Sequence, residues 1–138
     1  MGARRVSQVV AFLTALMVGV PVVGAAQRAA PATRQATPAS VLKNALRSTA
    51  AAQSRYRDAK GSYAPTVEPL ALRLEPGVRV EILQAGRAGW QGKATHIAQP
   101  GRSCVVFVGS LEGAEAPRTD GDREMAGEDG IPLCDRMR

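Results

Sequence analysis

One run of helix-forming residues governs what this chain can become. From Ala39 to about Lys60 nothing breaks a helix, and Leu42, Ala45, Leu46, Thr49, Ala52, Gln53 and Tyr56 recur at spacings of three and four. That spacing gathers them on one face. Lys43, Arg47, Arg55 and Arg57 fall mostly away from it. Thr37 followed by Pro38 suits an N-cap and a first helical position, and basic residues near the end suit the negative pole of the helix. Gly61 suits the stop. A helix with one apolar face must bury that face against something, and a chain of 138 residues has room for one domain to do so.

The residues after the helix supply the partner. Ser62 to Leu70 is a turn-rich connection, with Leu70, Leu72 and Leu74 as a short packing segment. Val78, Val80 and Ile82 alternate with Arg79 and Glu81, the pattern of a half-buried strand running to Leu83. Gly86 to Gly89 reads as a hairpin turn, Trp90 to Ile97 as a second strand, Pro100-Gly101 as another turn, and Cys104 to Gly109 as the most buried strand. Strands joined by short turns are antiparallel neighbours. The expected fold class is α+β. One N-terminal amphipathic helix packs on a three- to four-stranded antiparallel sheet, and a disulfide-bounded C-terminal loop closes a domain spanning 39–138.

The N-terminus carries an address. Arg4 and Arg5 precede a charge-free apolar run that ends in Gly24, Ala25 and Ala26. This is the composition of a signal peptide over residues 1–26, cut after Ala25 or one residue later. A retained anchor is the competing outcome, because about 20 apolar residues can span a bilayer. Pro21 and the small-residue exit favour cleavage, which leaves no stable membrane anchor. Residues 27–38, rich in alanine with Pro31 and Pro38, read as a linker. The implied location is the periplasm or the medium, where Cys104 and Cys134, the chain's two cysteines, can pair. Free thiols or half a metal site would need ligands that a chain with one histidine lacks. Closing that loop is worth roughly 3–4 kcal/mol in the chain-entropy picture.

Charge is split along the sequence. The formal net charge is +6, yet Glu112, Glu115, Asp120, Asp122, Glu124, Glu128, Asp129 and Asp135 face only Arg118 and Arg123 between Leu111 and Asp135. That stretch reads as a long surface loop tied down by the disulfide. Asp120, Asp122 and Glu124, followed by Glu128 and Asp129, have the alternating oxygens of a calcium loop. Met125 stands where an EF-hand needs glycine, and Ile131 where it needs the closing glutamate. A small extracytoplasmic ligand- or calcium-binding module using residues 111–130 is the alternative function. His96 lies in an alternating strand without a nucleophile motif around it, so it reads as structural. Arg28, Arg34, Lys43, Arg47, Arg55 and Arg57 could meet phosphates, but Tyr56 is the one aromatic among them, and no nucleic-acid partner is expected. No catalytic residue, cofactor or metal is assigned. The site residues are Cys104 and Cys134.

The order of these blocks is familiar. Leu46 through Ala52-Gln53 and Tyr56 to Gly61-Ser62-Tyr63 resembles the helix end and turn of type IV pilins and of type II secretion pseudopilins. Pro76-Gly77-Val78, Gly89-Trp90 into Ala94-Thr95-His96, Cys104 to Gly109, and Gly130 to Asp135 follow in the same order, so the resemblance covers about residues 40–135. It implies a pilin-like globular head that acts through protein–protein contact with pilus or secretion components, or with itself, and not as an enzyme. The N-terminus departs from that family. A prepilin peptidase site needs an aromatic residue after the glycine and a glutamate at the fifth mature position. Here Gly2 is followed by Ala3 and Arg4, the fifth position after it is Ser7, and no glutamate precedes Glu68. The chain resembles a pilin head with an export signal in place of the stalk helix.

Overall fold

A computed structural model describes residues 36–137. The expected signal peptide and nearly all of the expected linker lie outside these residues. Helix α1 runs Pro38–Lys60, with Pro38 at the first helical position that the sequence suggests for it. Thr37 caps it: the Ser40 amide donates to Thr37 Oγ1 at 3.2 Å. Gly61, at φ 81°, ends it, and its N–H donates to the Arg57 carbonyl at 2.7 Å. Only glycine enters that left-handed conformation without strain.

Four strands follow: β1 (Val78–Ala85), β2 (Gly89–His96), β3 (Ser103–Gly109) and the two-residue β4 (Leu133–Cys134). They form one antiparallel sheet in the order β1-β2-β3-β4. A short 3-10 turn, Glu68–Leu70, interrupts the connection that reads as irregular in the sequence. β1 and β4 are the edges. β1 carries exposed Arg79 and Glu81 and a register shift between Ile82 and Gln84, features that discourage another strand from pairing there.

The helix lies mainly across β2 and β3. Leu42 and Leu46 pack with Val78, Val80, Trp90, Ala94, Cys104 and Val106, which the register places on one sheet face. Gly92 leaves room there for the indole of Trp90: a Cβ on it would stand 2.6 Å from Trp90 Cζ3. A satellite cluster of Ala52, Ala64 and Leu70 extends the core under the connection. The cysteines meet as expected. Cys104 and Cys134 sit opposite each other in the β3–β4 ladder and form a disulfide, with the Cys134 sulfur 3.9 Å from the Ala39 carbonyl oxygen at the start of α1.

Gln53 belongs to the buried face for a polar reason. The Ala64 amide donates to its Oε1 at 2.7 Å, and its Nε2 donates to the Ala64 carbonyl at 2.8 Å. Both residues are fully buried. The amide side chain thus acts as a substitute strand for one peptide unit, and it fixes the turn to the helix. Gln53→Leu keeps the volume and strands both backbone groups, so we expect a loss of about 2–3 kcal/mol in urea unfolding. A loss below about 0.5 kcal/mol would mean the turn finds other partners.

Candidate functional site

The stretch 111–130 is the surface loop that its composition suggests, irregular and mostly exposed, but it is seated on the sheet at a few points. Pro117, Thr119 and Ala126 are buried, because the segment lies over the second face of the sheet on β2 and β3. The contacts run across that face. Gln91 Nε2 donates to the Glu115 carbonyl at 2.7 Å, Lys93 Nζ pairs with Asp120 at 3.3 Å, and the Asp120 amide donates to Ser103 Oγ at 2.8 Å. Val105, on the same face between Ser103 and Phe107, is completely covered. Residues 118–125 close on themselves, with an Arg118–Met125 bridge, a Thr119 amide bond to the Glu124 carbonyl at 2.9 Å and a Glu124 amide bond to Thr119 Oγ1 at 3.1 Å.

Asp135 holds this segment to the sheet. Its carboxylate, only 3% exposed, accepts the amides of Ser103 at 2.8 Å, Gly121 at 2.9 Å and Asp122 at 2.6 Å. Its own amide donates to the Ser103 carbonyl at 3.0 Å. Burial pushes the Asp135 carboxyl up, but hydrogen bonds from the Thr119 hydroxyl and from those amides outweigh it and hold the pKa below the usual aspartate value. Asp122 is also held low, first by the Arg136 amide at 2.8 Å and then by Arg102 at 2.7 Å. Asp129 accepts the Gly109 amide at 3.0 Å.

The acidic residues therefore divide by length. The aspartates 120, 122, 129 and 135 are committed to backbone amides and to Lys93 or Arg102. The side chains of Glu112, Glu115, Glu124 and Glu128 carry no such bond and are exposed. The shorter aspartate carboxylates lie close against backbone or side-chain donors brought up by the fold, whereas the glutamates of the same segment project into solvent. Between Glu124 and Glu128 lies a groove of about 500 Å³, lined also by Met125, Ile131 and Leu133. Met125 is 45% and Ile131 54% exposed, which makes this an apolar surface edged with free carboxylates. The sequence marks both residues as breaks in a calcium pattern; two apolar residues within an acidic run were the available signal for a contact surface.

Other sequence-level candidates fall elsewhere. His96 Nδ1 accepts the Ala98 amide at 3.0 Å, which caps the turn after β2. The basic residues of α1 lie on its outer side, away from the acidic segment's sheet face. Among the described residues no group of three or more His, Cys, Asp or Glu is arranged to hold a metal ion. We expect calcium at millimolar concentration to leave the melting temperature unchanged, because a cation here would have to displace backbone donors from Asp122 and Asp135. A calcium-dependent rise of several degrees would revive the ion-binding alternative. No helix among the described residues is long and apolar enough to cross a membrane, and the disulfide fits an oxidising, extracytoplasmic location. Scanned against protein-family models and searched against curated proteins, the chain matches none.

Proposed function

We propose that the chain is an exported, non-enzymatic domain of pilin-like build that works by protein–protein contact with pilus or type II secretion components. The observation that carries this is the Glu124–Glu128 groove, a half-apolar surface mounted on a segment that Asp135 and the disulfide make rigid. A preorganised surface binds without an ordering cost, which is what a contact module requires. The helix on an antiparallel meander, closed by Cys104–Cys134, has the layout that the sequence resemblance implies and supports the same reading. A signal peptide in place of a stalk helix makes the domain a released head, acting from the periplasm or medium and not from within a filament core.

Photo-crosslinking in producing cells tests this. A crosslinking amino acid at Met125 or Ile131 should capture pilin-type or secretion components, and the same probe at Arg79 on the opposite edge strand should not. Equal capture from both positions, or protein recovered in the cytoplasm with both cysteines as thiols, would overturn the proposal.

A further inference from the structure

The groove has an electrostatic counterpart on the same molecule. Along the outer ridge of α1, Arg47, Ala51 and Arg55 are exposed at intervals of one helical turn each. Among the described residues Arg47 bonds Asn44 Oδ1 at 3.3 Å within its own helix, and neither arginine enters an ion pair. The Cα atoms of the two arginines are thus about 12 Å apart along the axis, with the small Ala51 between them. Asp58 ends the stripe. The groove carries the opposite charge: exposed Glu124 and Glu128 line it together with Met125 and Ile131. Ala51 is small enough to leave room for an apolar side chain between two cations.

We propose that the occupant of the groove is a second copy of this chain, whose Arg47–Ala51–Arg55 ridge seats on the Glu124–Glu128 groove. This names a partner for the surface described above and rests on its being a contact surface. The two patches lie on different faces, since the core side of α1 packs on one face of the sheet and the acidic segment lies over the other. Such a contact is heterologous and repeats from copy to copy instead of closing on itself as a twofold pair does. Its strength depends on exposed ion pairs and therefore on salt.

Sedimentation velocity on the purified protein is the test. Species larger than the monomer should grow with concentration at about 0.05 M salt and recede at about 0.5 M. The variants E124K/E128K and R47E/R55E, all at exposed positions, should each weaken self-association at least about tenfold, since like charges then face each other. An equimolar mixture of the two should associate again, because every ridge–groove contact between unlike variants pairs opposite charges. This restoration also shows that both variants are folded. A wild type that stays monomeric up to about 1 mM at low salt, association indifferent to either reversal, or a mixture that fails to associate would each overturn self-docking. A monomer whose Met125 probe still captures pilus or secretion components would end this inference and leave the proposed function standing. Self-association without such capture would do the reverse.

Discussion

Asp135→Ala should be the most damaging single substitution outside the apolar core, with a loss of about 3–5 kcal/mol in denaturant unfolding. The side chain is nearly inaccessible, and its removal leaves the amides of Ser103, Gly121 and Asp122 without their acceptor. Asp135→Asn keeps the shape and one acceptor oxygen but loses the charge, so it should cost less than alanine and more than a surface change. The pH profile supplies a second signature. The folded-state pKa of Asp135 lies below its unfolded value, so ionisation favours the fold above the unfolded pKa, about 3.9, and that contribution is lost as pH falls through the depressed folded value. Asp135→Asn should flatten this acid limb, leaving the part that Asp122 and Glu68, also held low, continue to provide. An acid limb unchanged in the variant would remove Asp135 from the account.

Cys104→Ala should lower stability by about 3–4 kcal/mol, the chain-entropy value for a cross-link at a separation of 30 residues. For a domain of this size that corresponds to a fall in melting temperature of at least about 12 °C. Reduction of the wild type should have a similar effect, and the double variant Cys104→Ala/Cys134→Ala should be insensitive to reductant. The disulfide and Asp135 are also adjacent: Cys104 faces Cys134, and Ser103 exchanges hydrogen bonds with Asp135 one position further along. Combining the two substitutions should therefore cost less than their sum, as expected for neighbours that hold the same segment. A fully additive result would mean that the two anchors act independently.

Much of this fold was legible because it rests on periodicity. The face of α1 emerged from residue spacing: Leu42, Leu46, Thr49, Ala52 and Gln53 are all buried, and Ala45 and Tyr56 half-buried. The order of β1, β2 and β3 followed from short turns, with boundaries shifted by one or two residues where β1 continues to Ala85 and β2 begins at Gly89. The second layer was not legible. Residues 111–130 have neither helical nor strand spacing, so a surface loop could be read from them but not its seat on β2 and β3. Their order comes from single bonds to distant backbone, chiefly those that converge on Asp135, and such bonds leave no pattern along the chain. The pairing of Gln53 with Ala64 escaped for the same reason: burial of an amide can be anticipated, but its partner eleven residues away cannot. The groove residues Met125 and Ile131 were visible only as misfits in a calcium pattern.

The sheet order has a kinetic consequence. β1, β2 and β3 are joined by short connections, so their pairings close small loops and can form early. Without the disulfide, which joins the paired residues Cys104 and Cys134, the β3–β4 pairing must wait for the chain from Ser110 to Pro132 to fold back across the sheet. Interactions made after the rate-limiting step scarcely alter how fast a chain folds but govern how long it stays folded. In the disulfide-free chain the Asp135 anchor belongs to that late group. Weakening Asp135 in that chain should leave refolding rates nearly constant while the native state's lifetime shortens.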